Sequence, residues 1–156
     1  MKIWLQDNYK NWTVFLAIAM MLRFISVQVD SDFLNKFLTE NLVLLLPALL
    51  AVNVTTMSIL LTKIHDLKKE YPGISFKESI QAMKYSVWEQ IVLILLAVVA
   101  LILQESNRVA IFSSAEGQNI ISVVLIMLAI ASLQIVLDTA NTLFDFLHTE
   151  DEISSA

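Results

Sequence analysis

Four long runs of hydrophobic residues divide the chain, and short polar stretches separate them. They extend over approximately residues 12–29, 41–61, 87–103 and 120–137. Each is close to the roughly 20 residues that a helix needs to cross a hydrocarbon core about 30 Å thick. Because backbone amides in lipid must bond within their own segment, each run is predicted to be a transmembrane helix. The pattern predicts an all-α integral membrane protein with a single domain of four transmembrane helices.

The composition supports this class. Hydrophobic residues make up 57% of the 156 positions, and the chain has only two glycines and two prolines, which is too apolar for a soluble domain of this size. The N-terminal run has a signal-peptide-like start, with Ala17 and Ala19 spaced as in a cleavage site. Its hydrophobicity continues past that point, so it is interpreted as the first span.

The basic residues predict the orientation. Most lysines lie before the first run or between the second and third: Lys2, Lys10, Lys63, Lys68, Lys69, Lys77 and Lys84. The other two loops hold only Lys36 and Arg108. Since basic residues accumulate on the cytoplasmic side of a membrane, both termini and the central loop are predicted to be cytoplasmic.

The central loop, residues 62–86, is predicted to form a cytoplasmic helical hairpin. Apolar residues continue at helical spacing beyond the second run, and Pro72-Gly73 then interrupts the chain. Ser75 and Glu78 have the spacing of a capping box, which would begin the second arm. The hairpin's lysines are candidates for binding a cytoplasmic protein partner: Lys63, Lys68, Lys69, Lys77 and Lys84. The acidic tail, residues 149–156, is predicted to be disordered and solvated, with partner docking as the alternative.

Polar residues inside a span are costly and mark candidate functional positions. Arg23 lies in the first span, about two turns from its outer end. It can extend to Asp30 or Asp32 at the membrane surface, or take part in an interhelical pair or a water-filled pathway. Asn53 and Thr56 form a short polar face in the second span, which favours hydrogen bonds between helices.

The fourth span ends in a polar stripe, whose members recur at spacings of four, three and four on one helical face. They are Gln134, Asp138, Asn141 and Asp145. If several copies turned this stripe inward, carboxylate rings would line a cytoplasmic mouth and attract cations. The alternative is that the carboxylates pair with Lys63 or Lys84, or face the lipid interface. Glu89, which opens the third span, has the same two interpretations.

The inventory of reactive residues excludes most enzyme classes. The chain has no cysteine, and its two histidines, His65 and His148, stand apart from other candidate ligands. It has no zinc-protease or nucleophile-elbow motif. No basic face suggests nucleic-acid binding. The sequence therefore predicts neither an enzyme nor a metal or cofactor site, and its expected contacts are membrane lipid, further copies of itself and a possible cytoplasmic protein.

The order of the parts also resembles known proteins. A polar second span leads into the basic segment Lys63–Lys84, the aromatic entry Tyr85–Glu89 carries one glutamate, and an acidic tail follows the fourth span. In this layout the chain resembles the small four-span membrane proteins of RexB-type superinfection exclusion, and also the membrane subunit of Kiwa phage defence. The resemblance implies an oligomeric effector or sensor of the bacterial inner membrane that responds to phage infection. The resemblance to the RexB-type proteins further implies that this protein dissipates ion gradients. Only Glu89 matches a residue of that family.

Three functions remain open at this level. The first is an oligomeric pore or gated ion channel, and the second is a non-conducting scaffold or sensor that recruits a cytoplasmic partner. The third is an accessory subunit of a transporter. Helices can also associate through small residues without forming a pore. The small residues in the spans are Ala48, Ala51, Ala97, Ala100, Ala129 and Ser132.

Overall fold

A computed structural model describes residues 2–70, 76–105 and 114–154, with side chains described from Trp12 onward except at 70, 115 and 145–154. Within these ranges the fold consists of four helices, and no strand is present. They are α1 (Lys2–Gln28), α2 (Phe33–Glu70), α3 (Lys77–Glu105) and α4 (Ala115–Ser154). The predicted all-α class is confirmed.

Three of these helices are long and apolar enough to cross a membrane. Their apolar stretches are Phe33–Lys69, Lys77–Glu105 and Glu116–Phe144. The corresponding stretch of α1, Trp12–Gln28, is shorter. Large hydrophobic side chains on these helices are exposed, such as Leu44 at 74% and Leu95 at 61%. A soluble monomer rarely exposes so much apolar surface, so the helices suit a membrane.

The helices extend well beyond the predicted apolar spans. α2 begins at Phe33 instead of near residue 41. α3 begins at Lys77, ten residues before its apolar span and close to the capping box that predicts the start of the second hairpin arm. Hydropathy marks the apolar part of a helix only, and no glycine or proline interrupts 33–40 or 77–86. α2 continues to Glu70, as expected for the hairpin's first arm. The Pro72-Gly73 break and the Ser75 cap lie outside the described residues.

α4 continues into the acidic tail. Its backbone is helical to Ser154, so the expectation of disorder is wrong for residues 149–154. The reason lies in the sequence, because no glycine or proline follows Gly117 in this helix and the tail residues continue it without a breaker. The carboxylates of the tail therefore follow a helix that leads directly out of the fourth apolar stretch.

A tight turn connects α1 to α2. Ser31 N–H donates to Ser26 C=O and Asp30 N–H donates to Val27 C=O, which are the paired bonds of a Schellman motif. Asp30 occupies the left-handed position with φ of 51°, which aspartate tolerates better than branched residues. Lys36 N–H then donates to Asp32 C=O and starts α2. The short turn makes α1 and α2 neighbours in the fold.

The chain forms two compact units. Unit 1 comprises Met1–Leu46 and Leu93–Ser132, and unit 2 comprises Pro47–Val92 and Leu133–Ala156. The most deeply buried large side chains of unit 1 are Leu42, Leu46 and Leu125. In unit 2 a hydrophobic cluster joins α2, α3 and α4, and its members are Met57, Leu60, Ile64 and Met83 with Phe76, Ile80, Val87 and Leu143 packed against them.

Several small residues proposed for association between copies are used inside the chain instead. Ala97, Ala100 and Ser132 are buried in the monomer. Ala48 and Ala51, by contrast, are exposed on α2. Small side chains let neighbouring helices approach closely. The buried residues therefore serve the chain's own packing, and they do not offer a surface to a second copy.

Candidate functional site

A buried hydrogen-bond cluster joins α2 to α3 in unit 2. Asn53 and Gln90 are both 0% exposed. The Asn53 amide Nδ2 donates to Gln90 Oε1 at 2.8 Å and to Ser86 Oγ at 3.2 Å. Asn53 Oδ1 is also buried and accepts no hydrogen bond from the described residues. Asn53 thus forms the interhelical contact that its position predicts, with partners that the sequence did not identify.

Thr56 does not share in this cluster. Its hydroxyl donates to Val52 C=O one turn earlier in the same helix, at 3.0 Å. The other hydroxyl residues of this stretch bond in the same way to their own helix, and they are Thr55, Ser58 and Thr62. Such bonds satisfy a hydroxyl locally and leave it without a role between helices. The predicted polar face therefore reduces to Asn53 alone.

Two members of the polar stripe of α4, Asp138 and Asn141, lie on the outside of unit 2. Gln134 Nε2 donates to Asp138 Oδ1 at 2.7 Å, and both Asp138 and Asn141 are exposed. Among the described residues Asp138 makes no ion pair with Lys63 or Lys84, the alternative considered from the sequence. The side chain of Asp145 lies outside the described part. A carboxylate and two amides therefore project from an apolar helix without a charged partner in the described part of the chain.

The other candidate functional residues of unit 2 lie in α3 and on the hairpin arms. Glu89 is half-buried beside the fully buried Gln90. Lys63 is half-buried too. The remaining hairpin lysines are exposed: Lys68, Lys69, Lys77 and Lys84. These four side chains are accessible to a partner, and Glu89 lies next to the Asn53 cluster along the helix.

Arg23 of unit 1 makes an interhelical contact, which was one of the alternatives considered from the sequence, with a partner that the sequence did not identify. Its guanidinium donates from Nε (3.2 Å) and from Nη2 to Oδ1 of Asn119 in α4. It makes no ion pair with Asp30 or Asp32 in the described structure. Because Asn119 lies in the second turn of α4, Arg23 extends toward the end of unit 1 and away from its apolar middle.

A second polar network, not predicted from the sequence, joins α2, α3 and α4 at this end of unit 1. Asn35 Oδ1 accepts from Ser122 Oγ at 2.9 Å and from Gln104 Nε2 at 3.4 Å. Thr39 Oγ1 donates to Asn35 C=O at 2.9 Å and lies 3.3 Å from Gln104 Oε1, and Gln118 Nε2 donates to Gln104 C=O at 3.1 Å. The i, i+4 spacing of Asn35 and Thr39 was the available signal, but both fell in a segment interpreted as loop.

No protein-family model, curated protein or solved structure matches this chain. The arrangement offers no nucleophile paired with a base in either unit's described residues. What it offers is a buried amide cluster, an exposed acidic stripe, exposed lysines and one arginine beside a neutral partner.

Proposed function

We propose that the chain is a four-span protein of the bacterial inner membrane that assembles into homo-oligomers and provides a cation pathway, with both termini in the cytoplasm. The acidic stripe of α4, from Gln134 to Asp145, lines the cytoplasmic mouth of this pathway. The phage-defence role implied by the RexB-like and Kiwa-like layout is part of the proposal, and dissipation of ion gradients would be its effect.

The topology rests on helix length and lysine placement. α1 is 27 residues long in total, about 40 Å at 1.5 Å per residue, which is enough to serve as the fourth span. The tight turn after Gln28 returns the chain directly into α2. With basic residues before α1 and between α2 and α3, the positive-inside tendency puts both chain ends in the cytoplasm.

The outward position of the stripe is the observation that carries the function. Facing lipid, the Asp138 carboxylate would lose hydration without gaining a charged partner, which costs several kcal/mol at depth and less near the interface. Facing water or other copies, the same carboxylate stays hydrated. The described structure gives Asp138 only the neutral Gln134 as a hydrogen-bonding side chain. An aqueous surface shared between copies therefore accommodates the stripe best.

The neighbouring surface of α4 favours contact with another copy. Leu133 and Leu137 are about half exposed and Phe144 is 66% exposed, and at 100° per residue all three lie along one side of the stripe. An apolar edge beside a polar stripe lets helices of adjacent copies pack while the stripe faces the centre. Several carboxylates around one mouth would then raise the local cation concentration.

A scaffold or sensor is the second candidate, and a specific observation favours it. Lys68, Lys69, Lys77 and Lys84 are all exposed on the hairpin arms. Such a surface suits an acidic cytoplasmic partner, since complementary charges steer association. This function requires no conduction, and the third candidate, an accessory transporter subunit, would require a foreign membrane partner.

Ion flux into liposomes tests the pore. Purified protein is expected to pass K⁺ faster than Cl⁻, and Asp138→Asn is expected to reduce the cation flux by about tenfold, the low end for charge focusing at a pore mouth. The reduction should be larger with Asp145→Asn added, and it should shrink in high salt because screening weakens the field. Asp66→Asn, which removes an exposed hairpin carboxylate outside the stripe, is the matched control.

Two outcomes would decide against the pore. One is equal flux for Asp138→Asn and Asp66→Asn, because the stripe would then have no effect on ions. The other is no flux from a folded wild-type oligomer, which would favour the scaffold. The scaffold function would then be supported if a soluble acidic protein purified together with the wild type but not with the Lys68→Glu/Lys69→Glu variant.

A further inference from the structure

Arg23 retains an unused set of hydrogen-bond donors. A guanidinium has five N–H groups, and Asn119 Oδ1 accepts from two nitrogens along one edge, Nε and Nη2. The edge formed by Nη1 and the second N–H of Nη2 has no described acceptor. This edge has the fork geometry that binds two oxygens of a carboxylate or a phosphate. Arg23 is half-buried, so part of its side chain is open to a ligand.

The surroundings of Arg23 belong to one end of unit 1. The contacts of Arg23 with Asn119 and of Asn35 with Ser122 bring the end of α1 and the starts of α2 and α4 together. A shallow groove passes between these helices, lined by Arg23, Ser26, Leu34, Asn35, Leu38, Ser122 and Ile126. It is too shallow to enclose a water molecule, so a ligand would lie across it with its polar group on Arg23.

The exposed side chains of α1 beside Arg23 are apolar. Met20, Phe24 and Val27 are each more than half exposed, at 55%, 64% and 57%. A group bound to the free edge of the guanidinium would therefore have hydrocarbon chains next to it in a membrane. This combination of a phosphate-binding fork and an adjoining apolar surface fits a phospholipid better than a free anion.

The charges at the same end favour a zwitterionic headgroup. Exposed carboxylates lie at or near the ends of the helices of unit 1: Asp30, Asp32, Glu40, Glu105 and Glu116. They repel a headgroup whose charge is only negative. Glu116 lies one turn before Asn119 on the same face of α4, about 4.5 Å along the axis. That offset is comparable with the two-carbon link between the phosphate and ammonium of an ethanolamine headgroup.

We propose that Arg23 and Glu116 form a binding site for the headgroup of an ethanolamine phospholipid. The Arg23 fork binds the phosphate, Asn119 holds the guanidinium in place, and Glu116 accepts hydrogen bonds from the ammonium. A choline headgroup has no N–H to donate, and a glycerol headgroup has no cation. The site depends on membrane embedding but not on ion conduction, so it stands or fails separately from the pore.

Native mass spectrometry of the purified chain tests this site with defined lipids. Ethanolamine phospholipid is expected to be retained about tenfold more than choline or glycerol phospholipid with the same acyl chains, the effect of about one charge-assisted hydrogen bond. Arg23→Gln should remove that preference. Arg23→Lys, which keeps the charge but lacks the fork, should remove most of it. Glu116→Gln should lower ethanolamine lipid to the choline level.

Lys36→Gln is the matched control, because it removes an exposed cation at the same end without touching the groove. It should leave the preference unchanged. Equal or stronger retention of glycerol phospholipid would overturn the proposal, and so would a preference that survives Arg23→Gln in a folded protein. Displacement of the lipid by millimolar inorganic phosphate would show a site for free phosphate and would also overturn it.

Discussion

Replacing Asn53 with leucine is expected to lower the free energy of unfolding by about 1–2 kcal/mol. A single hydrogen bond between membrane helices contributes about 0.6 kcal/mol on average. Asn53 makes two such bonds, and its loss also leaves Gln90 Oε1 buried without this donor, so the expected cost exceeds that average. The measurement is the midpoint of thermal unfolding in detergent, followed by helical circular dichroism.

A double-mutant cycle makes this prediction specific to the pair. Asn53→Leu combined with Gln90→Leu should cost less than the sum of the single substitutions, because removing both polar partners leaves neither one buried alone. Thr56→Val is the control on the same helix. Its hydroxyl bonds only to Val52 C=O, so a small change is expected. Additive single effects, or a loss from Thr56→Val as large as that from Asn53→Leu, would refute the interhelical role of Asn53.

Leu60→Ala is expected to destabilise the chain by about 2 kcal/mol, while Leu61→Ala should change stability little. Leu60 is 1% exposed inside the cluster with Met57, Ile64 and Met83, whereas its neighbour Leu61 is 43% exposed. Lipid tails are as apolar as leucine, so transfer from lipid contributes little. The cost of Leu60→Ala then comes from the cavity that its removal leaves, which places it at the low end of the usual range for this substitution.

The same unfolding experiment on both variants provides the comparison. Lipid or detergent fills the space left at Leu61, but it cannot enter the space left between the helices at Leu60. A loss from Leu61→Ala equal to that from Leu60→Ala would mean that residue 61 is covered by protein. In that case the exposed side of α2 at this position would be a contact between copies.

The sequence predicted the helices better than it predicted their contacts. A hydrophobic run identifies the segment of a helix that fits in lipid, so the apolar parts of α2, α3 and α4 were predicted from the sequence. The start of α2 was not, because residues 33–40 are polar enough to suggest loop while nothing in them stops a helix. The start of α3 at Lys77 is close to the capping box that predicts the second arm of the hairpin. The break at Pro72-Gly73 lies outside the described residues and stays a prediction.

Partners of polar side chains depend on the rotation and depth of each helix relative to its neighbours, which one-dimensional periodicity does not contain. Asn53 was identified as an interhelical group because amides inside a span need partners, but Gln90 and Ser86 could be assigned only from the packing of α2 on α3. For Arg23, distance along the chain suggested Asp30 or Asp32, with an unspecified interhelical pair as the alternative. Its partner Asn119 is 96 residues away in sequence.

The acidic stripe shows the converse case. Its periodicity on α4 was visible in the sequence, and the structure adds that Gln134 bonds to Asp138 and that Asp138 and Asn141 are exposed. Whether water or lipid covers it is a property of the assembled protein in a membrane. The proposal that copies enclose it therefore has to be tested there.

Cysteine accessibility provides the most direct test, because the natural chain contains no cysteine. Gln134→Cys places a thiol on the stripe, and Leu133→Cys places one at nearly the same depth on the exposed apolar side. Only a thiolate reacts with a maleimide, and a thiol ionises in water but not in lipid. A water-soluble maleimide is applied to each variant in intact membranes and in flux-competent liposomes.

The pore predicts that Gln134→Cys is modified and that modification blocks ion flux, while Leu133→Cys remains unmodified. If Gln134→Cys is as unreactive as Leu133→Cys, or if it is modified with no change in flux, the stripe of α4 does not line a cation pathway.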